Sequence, residues 1–75
     1  MSSNQLQQLI ITALQRRKAV VGSKQINRNA LFALIEDQVG YAICGKQVTR
    51  EMMEVAANAI GGRYEVKGNT GRIYY

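Results

Sequence analysis

Seventy-five residues, 47% of them apolar, suffice for one domain and leave little room for a second. Ten Lys and Arg against five Asp and Glu give a net charge of +5, a balance suited to phosphate backbones or acidic proteins. With no His and one Cys, the chain lacks the commonest general base, the usual Cys/His zinc set and the means for an internal disulfide.

No apolar run approaches the ~20 residues of a bilayer span, and Met1–Gln5 has neither the charged start nor the apolar stretch of a signal peptide. The expected molecule is therefore a single soluble, cytoplasmic domain over residues 1–75, with no membrane association. Its charge is uneven, since Arg16, Arg17, Lys18, Lys24 and Arg28 all precede the first acid, Glu36.

In chain order, Leu6, Leu9, Ile10, Ala13 and Leu14 recur on one helical face and predict a first helix over Asn4–Lys18. Ser3 or Asn4 is the expected cap, and Arg16, Arg17 and Lys18 complement the helix dipole in the last turn. Ala19–Ser23 reads as a connector containing at most a residue or two of edge strand. A second helix is predicted from Asn27, its cap, to Val39, with Leu31, Leu34, Ile35 and Val39 inward and Phe32 at the margin. Gly40 ends it in a left-handed conformation.

Tyr41–Lys46 reads as loop. The third helix runs from a Thr49 cap to Ile60, with Met52, Val55, Ala56, Ala59 and Ile60 as its apolar stripe. Beyond Gly61–Gly62 the period changes to alternation. Tyr64 and Val66 point one way and Arg63, Glu65 and Lys67 the other, before the turn formers Gly68–Gly71 and a second β-prone segment. The fold class is α+β: a three-helix core followed by a C-terminal β-hairpin with a four-residue loop.

Catalytic patterns are missing. Glu36 and Asp37 are adjacent rather than opposed, and Glu51 and Glu54, one turn apart, read as a solvated helix face. The glycine-rich segments lack the Gly-Lys-Ser/Thr ending of a phosphate loop, and Cys44 reads as a small core residue. No enzyme activity, cofactor or metal is expected.

The functional signal lies in two elements. Arg50, Glu54 and Asn58 are four apart on the third helix, with Glu51 beside them. Arg and Asn can bond two atoms of a purine at once, and Glu can accept from cytosine. The competing reading is an ordinary polar face with an Arg50–Glu54 ion pair. On the hairpin, Lys67, Asn69, Thr70 and Arg72 surround two glycines and suit phosphate contact, with Arg28 and Lys46 as further backbone-contacting cations. An incidentally charged turn is the alternative there.

This order and length of elements resembles the winged helix-turn-helix family over nearly the whole chain. The resemblance rests on architecture and on no sequence motif. It implies that the third helix enters the major groove and that the hairpin, as a wing, touches the adjacent backbone. By position, Arg50, Glu51, Glu54 and Asn58 become base readers, and Lys67, Asn69, Thr70 and Arg72 become wing contacts. Two features depart from the pattern: the Gly40–Val48 link is longer than a tight turn, and Glu51 and Glu54 leave the reading helix near neutral.

The first functional expectation is a small regulator of the kind seen in phages and mobile elements, binding double-stranded DNA and dimerising for affinity. The alternative is a protein-binding inhibitor or adaptor docking on a nucleic-acid-handling complex, with Met53, Tyr74 and Tyr75 as its contact patch. A third, RNA binding, rests on Tyr74 beside Arg72.

Overall fold

The computed structural model describes residues 2–75. It is α+β: helices α1 (Ser3–Val21), α2 (Arg28–Val39) and α3 (Arg50–Ala59) combine with strands β1 (Gln25–Asn27), β2 (Arg63–Lys67) and β3 (Thr70–Tyr74). The strands form one antiparallel sheet in the order β1-β3-β2, compatible with a winged-helix-like arrangement. No helix is long and apolar enough to cross a membrane among the described residues.

Helix α1 starts one residue earlier than its sequence signals indicate. Ser2 is the cap, and its hydroxyl accepts from the Gln5 amide while the Gln5 side chain accepts from the Ser2 amide. This reciprocal box satisfies two amide donors that a helix start otherwise leaves open. At its other end α1 continues through Ala19, Val20 and Val21 to Gly22, so most of the expected connector is helix. Asn27 caps α2 as expected, accepting from the Ala30 amide, and Gly40 closes it at φ +80°. Thr49 caps α3 in the same way, accepting from the Met52 amide.

The connector to α2 supplies the strand that the sequence barely signals. Gln25, Ile26 and Asn27 pair with Tyr74, Ile73 and Arg72, which turns the hairpin into a three-stranded sheet. Ile26, Ile73 and Tyr64 stand in one row across the strands, facing the helices. The hairpin loop is two residues, Gly68-Asn69, because Lys67 and Thr70 already pair. Gly68 has φ +59° and among the described residues no non-glycine residue has positive φ, so only the first central position is left-handed. That is the type II′ pattern, whose twist matches the flanking strands and lets them pair right up to the turn.

The core lies between the sheet and the helices. Ile10, Leu14, Leu31, Ile35, Met53 and Ile73 are its largest fully buried side chains. Two of the five residues expected on the apolar stripe of α3, Val55 and Ala59, are exposed, while Met53, Ala56, Ala57 and Ile60 are buried and Met52 packs half-buried against the core. Both sets obey the i, i+3, i+4, i+7 spacing, because seven of the nine residues from Met52 to Ile60 are apolar. Periodicity is degenerate on such a helix, and packing against α1 and β2 selects the face.

Candidate nucleic-acid interface

The alternation of β2 and β3 places Arg63, Glu65, Lys67, Thr70, Arg72 and Tyr74 on the side of the sheet away from the helices, and β1 adds Gln25. Six of these side chains line an open cleft of about 320 Å³, with Arg63 just beside it. The Arg63 guanidinium lies over the Tyr74 ring at 4.8 Å, Arg72 Nη1 donates to Gln25 Oε1 at 3.2 Å, and Lys24 lines an adjoining cleft against Tyr74 and Tyr75. Glu65 is the one acid in the group, 3.5 Å from Arg63 in an exposed ion pair. Arg63, Lys67 and Arg72 against Glu65 make this face net +2, and exposed Lys24 flanks it.

Sequence reasoning found Lys67, Thr70 and Arg72 but missed the surroundings that join them. Lys24 and Gln25 were hidden because a three-residue strand with one apolar position carries almost no periodic signal. Tyr74 was read beside Arg72, but its pairing with Arg63 was not: a two-residue hairpin pairs them directly, whereas the assumed four-residue loop shifts that register. Asn69 is exposed at the second central position of the turn.

The outward stripe of α3 holds Arg50, Glu51, Glu54, Val55 and Asn58, all exposed. Arg50 Nε donates to Glu54 Oε1 at 3.2 Å, the helical ion pair weighed against base reading. With Arg50 balanced by Glu54, Glu51 leaves the stripe net −1. Among the described residues no hydrogen bond or ion pair joins this stripe to the sheet face.

Arg28 has a different task from the phosphate contact expected of it. Its Nη2 donates to the carbonyls of Gly45 and Val48 at 2.6 and 2.7 Å, and its guanidinium lies 4.9 Å from the Phe32 ring centroid. The half-buried side chain thus holds the single 3₁₀ turn Gly45–Gln47 that leads into α3. Lys46, on that turn, is exposed.

Two more of the early cations also act within the fold. Arg17 Nε donates to the Tyr75 hydroxyl at 2.6 Å, and Lys18 Nζ to the Ile60 carbonyl at 2.7 Å, where it closes the end of α3. The contact patch expected for a protein partner is not assembled, because Met53 and Tyr75 are buried and Tyr74 is half-buried. Cys44 is exposed rather than in the core. No cluster of three or more His, Cys, Asp or Glu is placed to hold a metal ion among the described residues.

No family model matches the sequence, and no curated protein or solved structure is significantly similar to it.

Proposed function

We propose that the chain is a cytoplasmic DNA-binding domain of the winged-helix type, a small regulator that holds duplex DNA chiefly through the outward face of its sheet. One observation carries the reading: Arg63, Lys67 and Arg72 are spread along one outward face of the sheet with Tyr74, Lys24 flanks it, and Glu65 is the only acid. Phosphate contact needs flexible cations and hydroxyl or amide donors on an open surface, and Thr70 and Gln25 supply the latter. Base reading falls to Arg50 and Asn58 of α3, whose Glu51 and Glu54 repel phosphates and so restrict any approach to the groove floor.

The test is anisotropy titration of labelled duplex DNA at low salt with three proteins. The wild type should bind, Lys67→Glu/Arg72→Glu should lose at least about tenfold in affinity, and Arg50→Ala/Asn58→Ala should keep non-specific affinity but lose sequence preference. Absence of wild-type binding at about 50 mM salt would falsify the reading.

The adaptor reading draws on a different observation, the α3 stripe itself. Val55 is 51% exposed amid acids, a composition more usual for a protein contact than for a DNA-reading helix. Its signature is a pull-down that survives nuclease treatment and is lost on Val55→Lys.

A further inference from the structure

On the side of the molecule built from α1 and α2, a long groove runs between the two helices. Its two lobes, about 380 and about 780 Å³, meet at Arg16 and Gln38. Half-buried Leu9, Leu34 and Val39 lie along it, and Val20, Val21 and Tyr41 stand on its rim, 83%, 40% and 53% exposed. These three are most of the five large apolar side chains that the described residues expose. Apolar groups scattered singly are ordinary, but such a concentration along one groove marks an interaction surface.

The charges of the groove say what covers it. The α1 wall is basic, with Arg16 and Arg17, and the α2 wall carries the acid Asp37. Arg17 is held by Tyr75, whereas exposed Arg16 and Asp37 are in no ion pair among the described residues. A surface with one basic and one acidic wall about an apolar floor is complementary to itself. Placing a two-fold axis along the groove lays α1 of each copy over α2 of the other. Arg16 then faces Asp37 of the partner, and the same pair recurs across the axis, as an isologous interface requires.

We infer that the chain forms a two-fold homodimer through its α1–α2 groove, with the apolar rim in the middle and reciprocal Arg16–Asp37 pairs at the sides. A standard interface takes about 800 Å² from each partner, so the contact extends from the groove onto the flanking surfaces of α1 and α2. The groove shares no residue with the cleft on the outward sheet face, so dimerisation leaves that face open. The dimer is independent of the DNA-binding reading, and either can fail alone.

Sedimentation velocity of the full chain across about 1–100 μM tests the inference. The wild type should dimerise within this range. Arg16→Asp and Asp37→Arg should each weaken the dimer about tenfold or more, because each sets two like-charged pairs against one another. Arg16→Asp/Asp37→Arg together should restore it, since the swapped walls are again complementary, and a misfolded variant would not be rescued in this way. Val20→Ser, at a side chain the monomer leaves open, should weaken the dimer while circular dichroism stays unchanged. A wild type that remains monomeric at the highest concentration, leaving the groove to some other protein, overturns the inference. So does a dimer indifferent to both single charge reversals. Lys67→Glu/Arg72→Glu should leave the dimer intact, which separates this result from the fate of DNA binding.

Discussion

Arg28 illustrates how a charged side chain in a small basic protein can belong to the fold rather than to a ligand. The segment Gly40–Thr49 has no regular structure except one 3₁₀ turn, so its carbonyls need partners from elsewhere. Arg28 reaches them from the first turn of α2 and packs against Phe32. Hydrogen bonds from a charged donor contribute about 1.5–3 kcal/mol each when mutation removes them. Arg28→Met keeps the apolar stem but strips the donors, and urea denaturation should show a loss of about 2–3 kcal/mol. A variant with unchanged stability would return Arg28 to the pool of ligand-contacting cations. The surface pair Arg50–Glu54 stands at the other extreme: both partners are exposed, and a helical pair of this kind contributes about 0.3–0.5 kcal/mol.

At the scale of elements, α3 decides most. Its caps and limits are legible because they rest on local chemistry: a Thr49 hydroxyl at one end and a glycine pair after the other. Its face is not legible, because Met52, Val55 and Ala59 fit the helical period as well as Met53, Ala56, Ala57 and Ile60 do. The small side chains of Ala56 and Ala57 are buried together with Met53, and the polar stripe of Glu51, Glu54 and Asn58 turns outward with Val55. Met53→Ala should therefore cost about 2–5 kcal/mol, while Val55→Ala should change stability by less than about 0.5 kcal/mol. Equal effects at the two positions would contradict this packing. β1 was illegible for a related reason: a strand of three residues has no period to detect, and its pairing with β3 is a long-range event.

For the whole molecule the important quantity is where the +5 charge goes. Arg17, Lys18 and Arg28 are tied to the fold through their hydrogen bonds, and Arg50 is balanced by Glu54. Of the rest, Arg63, Lys67 and Arg72 stand on the outward sheet face with Lys24 flanking it, while Arg16 and Lys46 lie elsewhere. If that face takes up phosphates, about three to four cations release counterions, and the logarithm of the DNA association constant should fall with the logarithm of salt at a slope of about −3. Lys67→Glu/Arg72→Glu should flatten the slope by about 2 as well as weaken binding. A salt-independent association would point away from the sheet face and towards the apolar surfaces.

The amino-acid sequence by itself determined the caps of α2 and α3, the approximate extent of those helices, the presence of a C-terminal hairpin and hence the α+β class. Each of these depends on interactions within a few residues: a side-chain oxygen on a nearby amide, a glycine at positive φ, an alternation of period two. The sequence also carried Lys67, Thr70 and Arg72 as a group, since a tight turn brings them together. Tertiary structure alone decided which face of α3 is buried, that β1 completes the sheet, and that Arg28 serves the loop before α3. It also paired Arg63 with Tyr74, brought Lys24 against that tyrosine and opened the groove between α1 and α2. Those outcomes depend on contacts between residues far apart in the chain, where several faces satisfy the local pattern equally and only packing distinguishes them.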